Sequence, residues 1–547
     1  MSEYTHPLTQ FERRVKSDGE EPFLHQPFKG NWTSYSWSEV GRKARQVAAA
    51  LLSSGLKQGD KVAILGKNSA EWLICDFAIS MAGMVSVPIY STAGTETIEY
   101  VLAHSEARAL FVGRLDNYAA YDAATCDAIT IAYPYPNISA QHQWDQWLEN
   151  VEPLAEIAAP SMDDTYTIVY TSGSTGKPKG VVLSGLNMAA AAQDCVRFVP
   201  EGKNRILSYL PMAHITERSI VSMGAVYSPL QLFFNESLDT FLSDLRHAKP
   251  TVFLSVPRLW SRFQAGVLAK MPNSRLQFLL KIPLFGKRVA KKVREGLGFG
   301  SASAYLSGSA PISPELLRWY SRLGIDIIEG WGMSETSGAA CTNAPFNADM
   351  IGTIGIPIPS VELKIGEGSE LLIRGDAIFK SYYKNPEVTQ ASFVDGWFKT
   401  GDCATQNADG SWSIIGRVKE QFKTGKGKYV VPVPIESSLL GDVYVEQACV
   451  VGEGRSLPSA LIVLAEGLAN DKHTVEAGLA DLLKQINAKL ESHTRLKYLI
   501  IVTEAWSIEN EMLTPTLKLK RDAIENKYSD LINNDYSSSV VWESEQG

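Results

Sequence analysis

The chain has 547 residues, 52 Lys and Arg against 60 Asp and Glu, a formal net charge of −8 and 45% hydrophobic residues. At roughly 100–200 residues per domain, this length exceeds one ordinary core, and the near-average apolar content excludes a disordered or collagen-like chain. The acidic balance also excludes a general nucleic-acid binder, which would carry a basic footprint.

Met1 to Gly19 lacks the apolar stretch of a secretory signal, and no run approaches the ~18 apolar residues needed to span a bilayer. Ser38 is placed to cap a helix whose apolar face is Val40, Ala44, Val47, Ala48 and Leu51, with Gly55 as its stop. The strand Lys61–Leu65 follows, then a helix from about Ser69 to Ala82, the strand Val85–Ile89, a helix near Thr95–His104, and the strand Ala109–Val112. Repeated strand-helix-strand units predict a largely parallel sheet covered on both faces. Asp116–Pro160 reads as a variable excursion. A second alternating block runs from about Tyr166 to Ile328, and Gly352–Gly416 changes to short strands separated by Gly, Asp and Asn turns, as in an antiparallel or barrel-like unit. A charged, glycine-broken stretch after Arg417 precedes a final mixed segment. Cys75, Cys126, Cys195, Cys341, Cys403 and Cys449 form no CxxC pair. Reduced thiols in a cytoplasmic protein are expected, with no zinc site or disulfide framework.

The sharpest chemical signal is Tyr170-Thr-Ser-Gly-Ser-Thr-Gly-Lys-Pro-Lys-Gly180. Its glycines let backbone N–H groups approach a phosphate, the hydroxyls of Thr171, Ser172, Ser174 and Thr175 add donors, and Lys177 and Lys179 add charge. A P-loop would need four residues between its glycines and a Ser or Thr after the lysine to reach magnesium. Here Ser174 and Thr175 alone separate Gly173 from Gly176, and Pro178 follows the lysine.

Thr171–Gly180 resembles the signature of the adenylate-forming superfamily, which includes acyl-CoA synthetases, firefly luciferase and peptide-synthetase adenylation domains. The resemblance runs in order through Leu210-Pro-Met-Ala-His214, Ser307-Gly-Ser-Ala-Pro311, Gly330-Trp-Gly-Met-Ser-Glu-Thr336, Gly352-Thr-Ile-Gly-Ile-Pro357, Trp397-Phe-Lys-Thr-Gly-Asp402, Gly416-Arg-Val-Lys419 and Thr514-Pro-Thr-Leu-Lys518. Leu210–Arg218 and Lys428–Glu436 are closest to the long-chain fatty acyl-CoA synthetase branch.

The resemblance implies an α/β fold: a large N-terminal domain, 1–417, of two doubly wound subdomains plus a small β-barrel-like subdomain at about 350–416. A smaller mobile α+β C-terminal domain, 418–547, follows. It also implies an AMP-forming ligase that converts ATP and a medium- or long-chain fatty acid to acyl-AMP and pyrophosphate, then to a thioester with coenzyme A. Transfer to an acyl carrier protein, arrest at acyl-AMP, and a non-catalytic nucleotide- or lipid-binding relative are the alternatives.

By motif matching, Glu335 is the Mg2+ residue, and Lys518 is the adenylation cation, chosen over Lys520 and Arg521 by alignment alone. His214 stands near the acyl pocket. Nucleotide contacts fall to Thr171, Ser172, Gly173, Ser174, Thr175, Gly176 and Lys179; to Gly308, Ser309 and Ala310 along one face of adenine; to Trp331, Gly332 and Ser334 beside it; and to Asp402 on the ribose hydroxyls, with Arg417. Lys419 matches the hinge about which the small domain rotates. Lys423 joins the nucleotide contacts, while Gly425–Tyr429 would line the thiol channel. Three departures stand out: Ser334 for threonine, Glu420 for aspartate, and Lys426 where paired glycines are usual. Apolar residues from Ile220 to Phe234 are candidates for an acyl tunnel, with ordinary core packing as the alternative. The basic and apolar stretch 281–294 suits an anionic membrane surface, which would place the protein at the inner membrane face, with a solvated helix face as the alternative.

Overall fold

The computed structural model describes residues 4–171, 177–197, 199–465, 467, 472–514 and 518–546. Its first helix pair shows how local sequence sets the elements. Trp37–Ser53 starts at Ser36, not at Ser38 as expected, because only Ser36 has a glutamate three residues on: Glu39 N donates to the Ser36 hydroxyl and Ser36 N to the Glu39 carboxylate. Ala70–Met81 starts at Ser69, whose hydroxyl accepts from Trp72 N, and buries nearly every side chain beneath the sheet.

That sheet has eight strands, in the spatial order Ser381–Tyr382, Lys179–Ser184, Thr165–Thr171, Val85–Ile89, Lys61–Leu65, Ala107–Val112, Ile129–Ala132 and His142–Gln143. Pairing is parallel from Thr165–Thr171 onwards, and Lys179–Ser184 turns back antiparallel against it. The 116–160 segment is more than an excursion, since Ile129–Ala132 and His142–Gln143 extend the sheet.

A second layer holds the parallel strands Val252–Ser255, Ala304–Ser307 and Ile327–Trp331, continued antiparallel by Cys341–Thr342 and Ile356–Pro357. A four-stranded sheet of Asn204–Ser208, Leu230–Phe234, Pro22–Phe28 and Asn31–Ser36 stands beside it. The expected β-rich unit is an antiparallel sheet of Val361–Ile365, Glu370–Gly375, Trp397–Gln406, Phe393–Val394 and Trp412–Arg417.

After it, Val445–Val451, Ser459–Leu464, Leu499–Ile501 and Val540–Trp542 form a mixed sheet packed with helices Pro432–Leu440 and Lys472–Lys489. The two apolar cores of this region draw only on residues from Phe422 onwards. It meets the preceding part through Arg258, whose guanidinium lies 2.7 Å from the Glu446 carboxylate. No helix among the described residues is long and apolar enough to cross a membrane.

Candidate active site

Open parallel sheets expose their ligand crevices at the carboxyl ends of the strands, and here two such ends place seven of the motif residues. Gly308, Ser309 and Ala310 leave Ala304–Ser307; Trp331, Gly332, Ser334 and Glu335 leave Ile327–Trp331. Ser309 sits in the left-handed region, with φ +67°, and its hydroxyl lies 3.4 Å from that of Thr216. Gly332 is required by close approach: a Cβ there would lie 2.7 Å from the Gly338 carbonyl oxygen.

Asp402 and Arg417 are direct cross-strand partners in the β-rich sheet, and Arg417 Nε stands 2.8 Å from Asp402 Oδ1. Trp331 reaches the same carboxylate, donating its indole N–H to Oδ2 at 3.0 Å. Burial pushes the Asp402 carboxyl up, opposed by Arg417, by the Trp331 hydrogen bond and by Lys518. Each carboxylate oxygen has a second lone pair, so a diol can still donate to it. The indole bond was not foreseen. Trp331 was expected only to stack, and nothing in the local sequence signals a partner 71 residues away.

Thr171 ends its strand as the Cα partner of Lys179, so the chain returns after the motif as an antiparallel strand. A P-loop instead leads from a strand into a helix; the topology agrees with the spacing in excluding it. Ser172, Gly173, Ser174, Thr175 and Gly176 lie outside the described residues. Lys179 Nζ stands 5.3 Å over the ring of Tyr382, whose hydroxyl donates to Glu335 Oε1 at 2.7 Å. Tyr382 therefore links the phosphate-loop lysine to the candidate metal carboxylate, a role that no motif marked. Among the described residues no cluster of three or more His, Cys, Asp or Glu could hold a metal. One buried carboxylate, joined through Tyr382 to Lys179, fits Mg2+, which is commonly held by one or two carboxylates together with substrate phosphates.

His214 is held by a network beneath its loop. Asn68 donates to the Leu210 carbonyl at 2.7 Å and accepts from Met212 N at 3.0 Å, and the Ser208 hydroxyl donates to Glu217 Oε1 at 2.6 Å. Burial raises the Glu217 carboxyl to about 8, so it is largely uncharged at neutral pH. Burial, helped by Lys518, lowers His214 to about 4. The neutral ring accepts from Thr216 N at Nδ1, 3.3 Å away, which assigns the proton to Nε2. His214 is thus a hydrogen-bond donor at neutral pH and not an imidazolium. Val221, Met223, Val226, Leu230, Leu232 and Phe234 belong to the principal core.

Of the three basic candidates near 520, Lys518 is the one that shares a charge environment with the site. Crowding by protein lowers its ammonium pKa, Arg417 adds to this, and Asp402, Glu335 and Glu420 oppose it. The residue keeps solvent access, as expected on the wall of a cleft. Its loop is closed by Thr514 N donating to the Lys518 carbonyl at 2.8 Å and Lys518 N to the Thr514 hydroxyl at 3.1 Å. Arg521 is committed elsewhere, to Glu436 at 2.7 and 3.1 Å, and Lys520 is exposed. Lys419 is also exposed. Lys423 Nζ lies 5.0 Å over the Tyr429 ring, the two flanking the Thr424–Lys428 turn that carries exposed Lys426. The structure does not bring Lys423 or Lys426 to the Asp402 cluster.

The AMP-binding enzyme profile matches residues 11–383, and the AMP-binding enzyme C-terminal domain profile matches residues 420–540. The chain belongs to the AMP-binding enzyme family. Among relatives of this AMP-binding enzyme, the long-chain-fatty-acid–CoA ligase FadD15 of Mycobacterium bovis is 32% identical, over 91% of this chain and 92% of its own length. Fatty acyl-CoA synthetase A of Dictyostelium discoideum is 30% identical, over 93% and 86%. Among solved structures, the anthranilate CoA ligase AuaEII in complex with anthranoyl-AMP superposes with a TM-score of 0.82 at 21% identity, covering 97% of this chain and 98% of that one. The o-succinylbenzoate CoA synthetase MenE of Bacillus subtilis, in complex with ATP and magnesium, gives 0.73 at 22%, covering 94% and 98%. These structures share the α/β fold with this AMP-binding enzyme.

Proposed function

We propose that this AMP-binding enzyme activates a medium- or long-chain fatty acid with ATP, releasing pyrophosphate, and transfers the acyl group from AMP to coenzyme A. The observation that carries the reading is that Lys518 shares its charge environment with Asp402, Arg417 and Glu335, and that Tyr382 joins Glu335 to Lys179. The relatives that are long-chain fatty acid ligases support the choice of acid. The first step drives a carboxylate against a phosphate, so it requires oriented cations and donors more than a protein nucleophile. In this reading Asp402 accepts from the ribose with Arg417 beside it, Trp331 and the Gly308–Ala310 loop flank adenine, Thr171 to Gly176 and Lys179 take the phosphates, and Lys518 neutralises charge developing at the reacting phosphate. Mg2+ bound with the nucleotide at Glu335 would supply further Lewis-acid charge neutralisation. The His214 Nε2–H orients the acid, which is already ionised near neutral pH.

The proposal divides the chain at Arg417, into 1–417 with its β-rich unit at about 350–416 and 418–547. Separate apolar cores on the two sides support that division. Lys419 serves as the hinge, and rotation about it withdraws Lys518 and brings the Gly425–Tyr429 segment towards the thiol. The proposal places the protein in the cytoplasm, with a peripheral contact through 281–294 at the inner membrane face. An acyl carrier protein is the alternative acceptor.

Product analysis with ATP, Mg2+ and a fatty-acid panel, with and without coenzyme A, tests the reading. Pyrophosphate, AMP and acyl-CoA are expected together. Acyl-AMP that coenzyme A leaves unconsumed transfers the assignment to a carrier protein, and no pyrophosphate with any acid points to another carboxylate class or to a binding protein.

Two further outcomes are expected. Lys518 must be protonated to act, and its pKa is depressed; pyrophosphate release should therefore hold on the acidic side and fall as pH rises through that lowered value. Lys518→Arg, which does not titrate in this range, should lose the alkaline fall; its persistence would place the titrating group elsewhere. Tyr382→Phe removes a hydrogen bond to Glu335 of a type worth about 1.5–3 kcal/mol. The Mg2+ concentration for half-maximal rate should change by about tenfold, with little change in unfolding midpoint, and an unchanged Mg2+ requirement would remove Tyr382 from the site.

A further inference from the structure

On the second layer, away from the reacting groups, Asn273–Leu280 and Phe285–Gly296 form a helical hairpin with Lys281–Leu284 at its turn. Its two arms touch backbone to backbone, since a Cβ on Gly286 would lie 2.3 Å from the Leu280 carbonyl oxygen. The hairpin is also fastened to its support. Leu276 and Ala290 enter the core, Trp319 donates its indole N–H to Asn273 at 3.2 Å, and Arg322 donates to Gln277 at 3.0 Å. It is a built projection and not a loose loop.

Its apex is apolar and uncovered: Phe278 is 66%, Leu284 76%, Phe285 46% and Ile282 37% exposed. Leu284 is held in the left-handed region at φ +63°, a conformation that costs a side-chain-bearing residue free energy and here sets an aliphatic group at the tip. Around the apex the chemistry changes to one sign. Residues 262–294 contain nine Lys and Arg and no Asp or Glu, in a chain whose net charge is −8. Lys281, Lys287, Arg288, Lys291 and Lys292 are all exposed, and among the described residues their one ion pair is Lys291 with Glu295 at 3.7 Å.

We propose that this hairpin is an interfacial wedge that seats the protein on an anionic lipid bilayer. Phe278, Ile282, Leu284 and Phe285 enter the boundary between headgroups and acyl chains, and the lysines and arginines behind them meet lipid phosphates. An apolar apex with basic flanks supplies the two signals, insertion and charge, that stable peripheral binding requires. A nucleic acid would present phosphate to the apex, where the hairpin offers hydrocarbon. The inference deepens the peripheral contact proposed for 281–294 and is independent of which acid or acceptor the enzyme uses.

Flotation of the full-length protein with phosphatidylcholine vesicles, with and without phosphatidylglycerol, tests it. Binding is expected to the anionic vesicles only, and to weaken with salt. The pair Lys287→Glu, Arg288→Glu should reduce partitioning by at least about tenfold, and Leu284→Ser, with charge intact, by about tenfold. Both variants should retain pyrophosphate release with soluble substrate, which separates loss of docking from loss of fold or reaction. Equal partitioning onto neutral and anionic vesicles, or none onto either, overturns the proposal. So does charge-reversal loss with Leu284→Ser unaffected, because adsorption would then need no wedge.

Discussion

Lys518→Gln is expected to lower pyrophosphate release from ATP and fatty acid by about 10³-fold. Two unit charges ~4 Å apart in a partly screened site interact by about 4 kcal/mol, and each 1.36 kcal/mol of barrier is about tenfold in rate. Lys518 brings that charge to a cleft already holding Arg417, Asp402 and Glu335. Because the proposed rotation withdraws it, conversion of supplied acyl-AMP and coenzyme A to acyl-CoA should change by less than about threefold, little against that tenfold-per-1.36 kcal/mol scale. Rapid-quench measurement of both half-reactions distinguishes the outcomes. An equal fall in both would mean that Lys518 acts through stability or general binding. A larger effect from Lys520→Gln would transfer the role to Lys520, although the charge interactions of Lys518 with Arg417, Asp402 and Glu335 and the commitment of Arg521 to Glu436 favour Lys518.

The largest stability effect is expected at Asp76. Its carboxylate and the Arg218 guanidinium form an ion pair with both side chains fully buried, and Arg218 also donates to Thr167 and Ser86. Asp76→Ala strands a buried cation, and breaking such pairs costs about 3–5 kcal/mol. The urea midpoint of the large domain should fall accordingly. Asp76→Leu with Arg218→Met should be less destabilising than either single change, since neither charge is then left alone. A single variant within about 1 kcal/mol of the parent would show that water reaches the pair, against the usual penalty for breaking a buried one. Arg218 N donates to the His214 carbonyl at 3.1 Å. The same substitution should therefore also loosen the acid-binding loop and raise KM for the fatty acid.

Local sequence decided the elements wherever the signal lies within one element. Ser69 and the apolar run after it set Ala70–Met81, and Gly59 and Gly83 bound the strand and helix edges around them. Ser38 failed as a cap because a capping box needs its glutamate three residues on, and only Ser36 has one. Ile129–Ala132 was missed because four residues are too few to display a period. The candidate site was legible only where its residues are neighbours in the chain: Trp331 to Glu335, Gly308 to Ala310, and the loop from Thr171.

Sequence alone therefore determined the family, the order of its motifs and the α/β class, since these are written in contiguous residues. Tertiary structure decided which side chains meet. Trp331 with Asp402, Tyr382 with Glu335, Arg218 with Asp76, and Lys518 with Arg417, Asp402 and Glu335 join residues at least 47 apart in the chain and from both sides of Arg417. The physical reason is that each meeting depends on strand register and on how one packed unit sits against another. A one-residue slip in register turns a side chain to the opposite face, and no local preference records that choice.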